Sequence, residues 1–252
     1  MTHEEALYKY VLRLGDNALI HGNRLSEWCS KDPILRHNSD LPNIALDTIG
    51  LAKAFLKYAA KIEGNQQTEN DLAYNRSEQQ FYNHQITELP NPDFMIMITK
   101  QLFISTFELH LFNALSQSAD ETIATIAKRG LEDVHYHFIY SRYWCYSLSE
   151  GLKSDHVKLQ QTINDLWSYT GEFFEMSDED NLLLANGIAA DLTVIHQLWK
   201  ETISAVLTEV KLQIPEDRFM QTGSRKGVHT EHLVHILTEM QYLQRSYRYA
   251  KW

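Results

Sequence analysis

Glu132-Asp133-Val134-His135 is the single Glu-x-x-His in the chain, and three residues is the spacing at which a helix chelates a metal. Side chains three apart share one helix face, so a carboxylate and an imidazole in that register point at one ion. Carboxylate-bridged di-iron bundles use two such pairs on two helices, with one further Glu from each of two others. The place for the second pair holds Asp47-Thr48-Ile49-Gly50. Asp47 is one methylene shorter than Glu, and Gly50 has no donor where an imidazole would stand. One metal of such a pair would be under-coordinated.

Two more carboxylates fall on apolar stripes: Asp16 with Leu12, Leu19 and Ile20, and Glu108 with Ile104, Leu111 and Phe112. Asp47 lies likewise between Ile44 and Leu51. A carboxylate turned inward must find a partner or take up a proton, because desolvating it alone costs about several kcal/mol. Two readings follow. Asp16, Asp47, Glu108, Glu132 and His135 are either a degenerate metal site in which no metal is expected, or a buried polar network with Asn17, Asn43 and His135 as hydrogen-bond partners. His110 and His137 read as solvated or packing histidines. His229, His232 and His235 recur every third residue with Glu231 between them; a partner-facing or capping role ranks above metal binding there, since the Glu-x-x-His register is missing.

Gly223-Ser224-Arg225-Lys226-Gly227 precedes the last helical pattern. Glycines turn backbone N–H groups outward and a helix N-terminus carries partial positive charge, so Arg225 and Lys226 make this an anion-binding candidate. A solvated basic turn paired with the protein's own acids explains the same residues. Nucleophilic catalysis finds no support. Cys29 and Cys145 form no Cys-x-x-Cys, which suits free thiols of a reducing compartment, and Gly-x-Ser-x-Gly does not occur.

The elements that must position these residues are helices. Ten glycines and five prolines in 252 residues, with hydrophobics recurring at three and four, predict an all-α fold. Long helices are expected over about 5–29, 42–64, 94–115 and 120–148, and further ones over about 155–174, 192–212 and 229–249. Residues 64–93 are polar and irregular, a long crossover between the second and third helices, as a ferritin-like four-helix bundle requires. The chain thus reads as one domain over 1–252, with a core bundle to about residue 150 and about three additional C-terminal helices. A 44% hydrophobic composition supports a full core, and a formal net charge of -10 excludes the basic footprint of nucleic-acid binding. No apolar run spans a membrane and the N-terminus lacks a signal-peptide pattern, so a cytoplasmic protein is expected.

Four segments carry a family resemblance: Leu12-Arg13-Leu14-Gly15-Asp16-Asn17, Arg24-Leu25-Ser26-Glu27-Trp28-Cys29, Thr222 to His232, and Glu239-Met240-Gln241-Tyr242-Leu243-Gln244-Arg245. With these the chain resembles, nearly end to end, the C subunits of bacterial phenylacetyl-CoA oxygenase, also called ring-1,2-phenylacetyl-CoA epoxidase. The resemblance implies a ferritin-like structural subunit of a multicomponent monooxygenase of phenylacetate degradation. It implies no cofactor in this chain, a di-iron centre in the catalytic A subunit, and NADPH, FAD and iron–sulfur groups serving the reductase subunit. The A subunit, the small B subunit, a second copy of the chain and phenylacetyl-CoA are the partners it suggests. It also assigns substrate contact to Gln80, Phe81, Tyr82 and Asn83, and to Asn181, Leu182 and Leu183. From the residues themselves, Gln80 and Asn83 are expected to share one face of a helical turn, with Phe81 able to stack on an adenine. Anchoring of the crossover loop accounts equally for the first four. The alternative activity is that of a ferritin-like di-iron oxidase in its own right.

Overall fold

The computed structural model describes residues 1–31, 40–217 and 219–247. Among them are ten α-helices and no strand, so the protein is all-α. Two compact units divide the chain: 1–90 with 223–252, and 91–222. No helix is long and apolar enough to cross a membrane among the described residues.

The first unit is built on α1 (His3–Lys31) and α2 (Asp40–Glu63). A Cβ on Gly15 would lie 2.8 Å from Leu56 Cδ2, and one on Gly22 would lie 2.8 Å from Ile49 Cγ1. Seven residues forward on α1 thus correspond to seven backward on α2, so the helices run antiparallel. Two glycines one heptad apart let the backbones close in. Beyond α2 come α3 (Glu69–Tyr74), a 3-10 turn at Glu78–Gln80 and the single-turn α4 (Gln85–Glu88). Thr68 and Asp71 start α3 with a reciprocal capping box. The long connection expected over 64–93 therefore carries short helical pieces of its own.

The second unit is built on α5 (Phe94–Leu115) and α6 (Glu121–Ser149). Asp93 caps α5 through Ile96 N–H at 2.9 Å. Asp120 caps α6 through the N–H groups of Thr122 and Ile123, both at 2.9 Å. Five residues between the helices force an antiparallel pair, and Ser105 Oγ meets Ser141 Oγ across it at 3.2 Å. Then follow α7 (Lys153–Trp167), a 3-10 turn at Gly171–Phe174, α8 (Asp178–Ala185) and α9 (Leu192–Glu209). The helix expected over 155–174 ends at Trp167, and beyond it Gly171 packs against Met220, whose Cβ would be 2.7 Å from an added Cβ. Trp199 of α9 anchors the core of this unit. Its indole Nε1 donates to Phe103 O at 3.0 Å, and its ring packs against Phe103 and Trp167.

The last helix among the described residues is α10 (Glu231–Ser246), which belongs to the first unit and packs on α3, α4 and the turn at 78–80. The expected extension to Tyr249 runs beyond the last described residue.

Candidate functional site

The residues singled out by the sequence sort into a polar interior in the first unit and a cleft in the second. Asp16 is fully buried on α1. Arg76 reaches it from the crossover: Nη1 donates to Asp16 Oδ2 at 3.0 Å, and Nη2 donates to Oδ1. The Tyr82 N–H adds a third donor at 3.0 Å. Burial pushes the Asp16 carboxyl upward, while Arg76, the Tyr82 N–H and His229 favour its ionised form. Arg76 is itself fixed by Leu72 O and Gln80 O, and its guanidinium lies 4.0 Å over the Phe81 ring.

Beside this pair stands a second one. Glu88, fully buried on α4, accepts through Oε1 from His229 Nδ1 at 2.6 Å and from Asn83 Nδ2 at 2.9 Å. Its Oε2 accepts from the Thr230 N–H at 2.8 Å and the Thr230 hydroxyl at 2.7 Å. Its carbonyl takes Arg24 Nε and Nη2 at 2.9 and 2.7 Å. His229 Nε2 meets Phe81 O at 2.9 Å. Burial opposes charge on this imidazole, but the Glu88 carboxylate, the Phe81 carbonyl and Asp16 outweigh it and lift its pKa above the ordinary histidine value.

These contacts decide what the crossover residues can do. Phe81 and Asn83 are fully buried, with Phe81 under Arg76 and Asn83 on Thr87 and Glu88. The Phe81 ring is therefore not presented for stacking on an adenine. Gln80 is exposed and accepts from the Ser77 N–H at 2.8 Å. The backbone turns extended at Phe81, so Gln80 and Asn83 do not share a face, a correction to the helical-turn expectation. Tyr82 is half-buried.

The basic turn lies beside this segment. Arg225 and Lys226 form a 3-10 turn, Ser224–Lys226, between Gly223 and Gly227. Gly227 has a φ of +72° and passes so close to Gln79 that an added Cβ would lie 2.5 Å from its carbonyl oxygen. The N-terminus of α10 is a separate feature: Thr230 caps it, and the Glu88 carboxylate sits on the Thr230 N–H. The protein's own acid meets that dipole, so the anion expected at the helix N-terminus has only the side chains of Arg225 and Lys226.

In the second unit Glu132 and His135 are both exposed on α6. They line a cleft of about 430 Å³ with Leu109, His110, Asn113 and Leu131. His110 Nε2 is 2.9 Å from Thr202 Oγ1, and burial lowers its pKa. Glu108, next to the cleft wall, is buried and pushed up to about 8 by desolvation. His137 is buried rather than solvated. Asn181 is exposed, Leu182 half-buried and Leu183 fully buried, all on α8. Cys29 and Cys145 form no disulfide, and burial pushes the Cys145 thiol up to about 12.

Of the five carboxylate and histidine candidates, Asp16 has a guanidinium partner and Asp47 is half-buried on α2. Among the described residues no three His, Cys, Asp or Glu side chains are arranged to hold a metal ion. The polar network does form around Asp16, but with Arg76 and Tyr82 in place of Asn43, which is exposed, and of His135, which belongs to the other unit. Asn17 takes part from the side, accepting the His84 N–H at 2.7 Å. Sequence reasoning passed over Arg76 and Glu88 because both lie in the irregular crossover, where no periodicity marks an inward face. Thr230, directly after His229, carried a readable N-cap signal.

Comparison with known proteins agrees with the resemblance seen in the motifs. The model of the family described as phenylacetic acid catabolic protein matches residues 1–252. The chain is 40% identical over 246 residues to the 1,2-phenylacetyl-CoA epoxidase C subunit of Escherichia coli (strain K12), covering 98% of this chain and 99% of that one. A helical chain that matches from end to end belongs to the phenylacetic acid catabolic protein family.

Proposed function

We propose that this chain is the C subunit of a phenylacetyl-CoA 1,2-epoxidase, a cytoplasmic, non-catalytic structural subunit that supports the di-iron A subunit and binds the small B subunit. The observation that carries this reading is the full-length match to the Escherichia coli C subunit. On this reading the di-iron centre and the NADPH, FAD and iron–sulfur groups belong to the partner subunits, and this chain holds no cofactor. Within this chain Asp16 serves as the counter-ion of Arg76, and Gly50 contributes no ligand.

A docking face is available on α6. Ile123, Ala127, Val134, His137, Ser141 and Cys145 turn inward. Tyr136, Ile139, Tyr143 and Tyr146, at spacings of three and four, form an exposed stripe on another face. A contiguous apolar stripe on an exposed helix face is the kind of surface that a partner covers. Co-expression with the A subunit followed by native mass measurement tests the reading. A defined complex that Ile139→Glu disrupts is expected, and a chain that stays alone would sink it.

Contact with phenylacetyl-CoA is the second part of the proposal. The basic turn of Arg225 and Lys226 stands beside the Gln79-Gln80 turn, which joins two segments that the sequence singles out independently. Calorimetry with coenzyme A at two salt concentrations should give salt-weakened binding. No heat at either salt removes this part and leaves the scaffold reading intact.

Glu108 favours the alternative, an active di-iron oxidase, because a buried carboxyl held up to about 8 by desolvation would gain from a nearby cation. Two irons per isolated chain would establish it.

A further inference from the structure

Both ring nitrogens of His229 face groups that only accept hydrogen bonds, the Glu88 carboxylate at 2.6 Å and the Phe81 carbonyl at 2.9 Å. A neutral imidazole has one N–H, so with Glu88 ionised, as its three further donors Asn83 Nδ2, Thr230 N–H and the Thr230 hydroxyl favour, satisfying both contacts requires the imidazolium. The charge count agrees. Asp16 on α1 and Glu88 on α4 are negative, Arg76 on the crossover is positive, and His229 brings the four to zero. Arg24 also faces the group through the Glu88 carbonyl, and its charge is met by Glu27; Tyr8 on α1 with Glu63 on α2 flanks Asp16 and Arg76, and Arg245 on α10 donates to Arg76 O at 3.3 Å. A buried set of charges that cancels is tolerable, and one left with an odd charge is costly.

His229 also stands at a mechanical junction. The segment from Gly223 to Thr230 crosses the Gln79–Glu88 stretch, with Gly227 against the Gln79 backbone and Val228 O accepting from Gln85 Nε2 at 3.2 Å. Gly223 and Gly227 both have positive φ, +124° and +72°, so the path of this segment is set by its glycines and tied down at His229 and Thr230.

We propose that residues 223–230 form a proton-operated strap: with His229 protonated the strap clamps the Phe81–Glu88 crossover, and with that proton gone it releases. Loss of the proton removes the His229 donor from either Phe81 O or Glu88 Oε1 and leaves the buried charges at minus one. The sign follows from the direction of the shift. His229 has a raised pKa in the folded chain, so its contribution is complete below the unfolded histidine value and is lost as pH rises through the folded value. The strap is closed on the acid side and opens on the alkaline side, while the α1–α2 pair stays packed.

The test uses the full-length protein. The His229 ring is titrated by carbon-13 NMR, and amide exchange of residues 79–88 and 224–230, corrected for its intrinsic pH dependence, is followed over the same range. Protection of these two segments should fall by at least about tenfold as the ring loses its proton, while α1 and α2 keep theirs. Glu88→Gln keeps the side-chain shape and removes the charge, so the opening should move to lower pH; His229→Gln should leave both segments unprotected throughout. A ring neutral at pH 6 overturns the proposal. So does protection that survives loss of the proton, a ring that stays protonated until the chain unfolds, or an opening that Glu88→Gln does not move.

Discussion

Arg76 and Asp16, sixty residues apart in sequence, form a buried two-contact ion pair in which Arg76 Nη1 and Nη2 each donate to a different carboxylate oxygen. This pair ties the crossover to α1 and uses the carboxylate that a metal site would have needed. Arg76→Ala leaves the buried Asp16 carboxylate with only the Tyr82 N–H and no countercharge, so a loss of about 3–5 kcal/mol is expected in denaturant unfolding. Arg76→Lys should recover only part of it, because one ammonium cannot reproduce the fork. Equal stability of Arg76→Ala and the wild type would remove the pair's structural role.

Glycine positions separate close packing from simple flexibility. Gly22→Ala puts a methyl 2.8 Å from Ile49 Cγ1 and 3.3 Å from the Ile49 backbone nitrogen, so it should cost about 1–3 kcal/mol. Gly50→Ala, on the same helix pair, meets nothing within 4 Å, and should gain about 0.5–1 kcal/mol from helix propensity. Thermal melts of the two variants should move in opposite directions.

Gly227→Ala and Gly64→Ala share a positive φ, +72° and +74°. Only Gly227 touches anything: its new Cβ would stand 2.5 Å from Gln79 O, while Gly64 has open space. Gly64→Ala should cost about 1 kcal/mol of backbone strain. Gly227→Ala should cost clearly more and raise proteolytic cleavage near residues 79 and 227.

Glu108 sets a pH slope. Its carboxyl, pushed up to about 8 by burial, holds a proton in the folded chain that the unfolded chain releases near pH 4.5. Stability from this group is therefore complete below that value and is lost as pH rises toward about 8, after which the slope ends. Glu108→Gln should flatten the curve and exceed the wild type by a few kcal/mol, roughly, at pH 9. Urea unfolding at pH 5, 7 and 9 for both proteins checks this; parallel curves would contradict it.

The legible part of the fold was the part governed by local periodicity. The expected bounds of α5, 94–115, are those observed, and Asp120 caps α6 at the start expected for it. The eight-residue α8 was missed because its first turn, Asp178-Glu179-Asp180, is acidic and the helix is too short to show a period. Asp16 could be read as inward from its stripe. Its partner could not, because Arg76 is brought in by a chain path through α3 that no local pattern encodes. Glu132 and His135 were placed by their spacing alone. On α6 two stripes compete, one small and apolar, one aromatic, and Glu132 and His135 turn away from the small buried one.

The proposed role as a scaffold is tested most directly by iron analysis of the isolated chain and of its complex with the A subunit, after anaerobic reconstitution and alongside epoxidase turnover. A scaffold should show no stoichiometric iron in the isolated chain, two irons per A subunit in the complex, and turnover that Glu132→Ala leaves unchanged. Two irons bound by the isolated chain, or metal and activity lost together in Glu132→Ala while assembly survives, would contradict it.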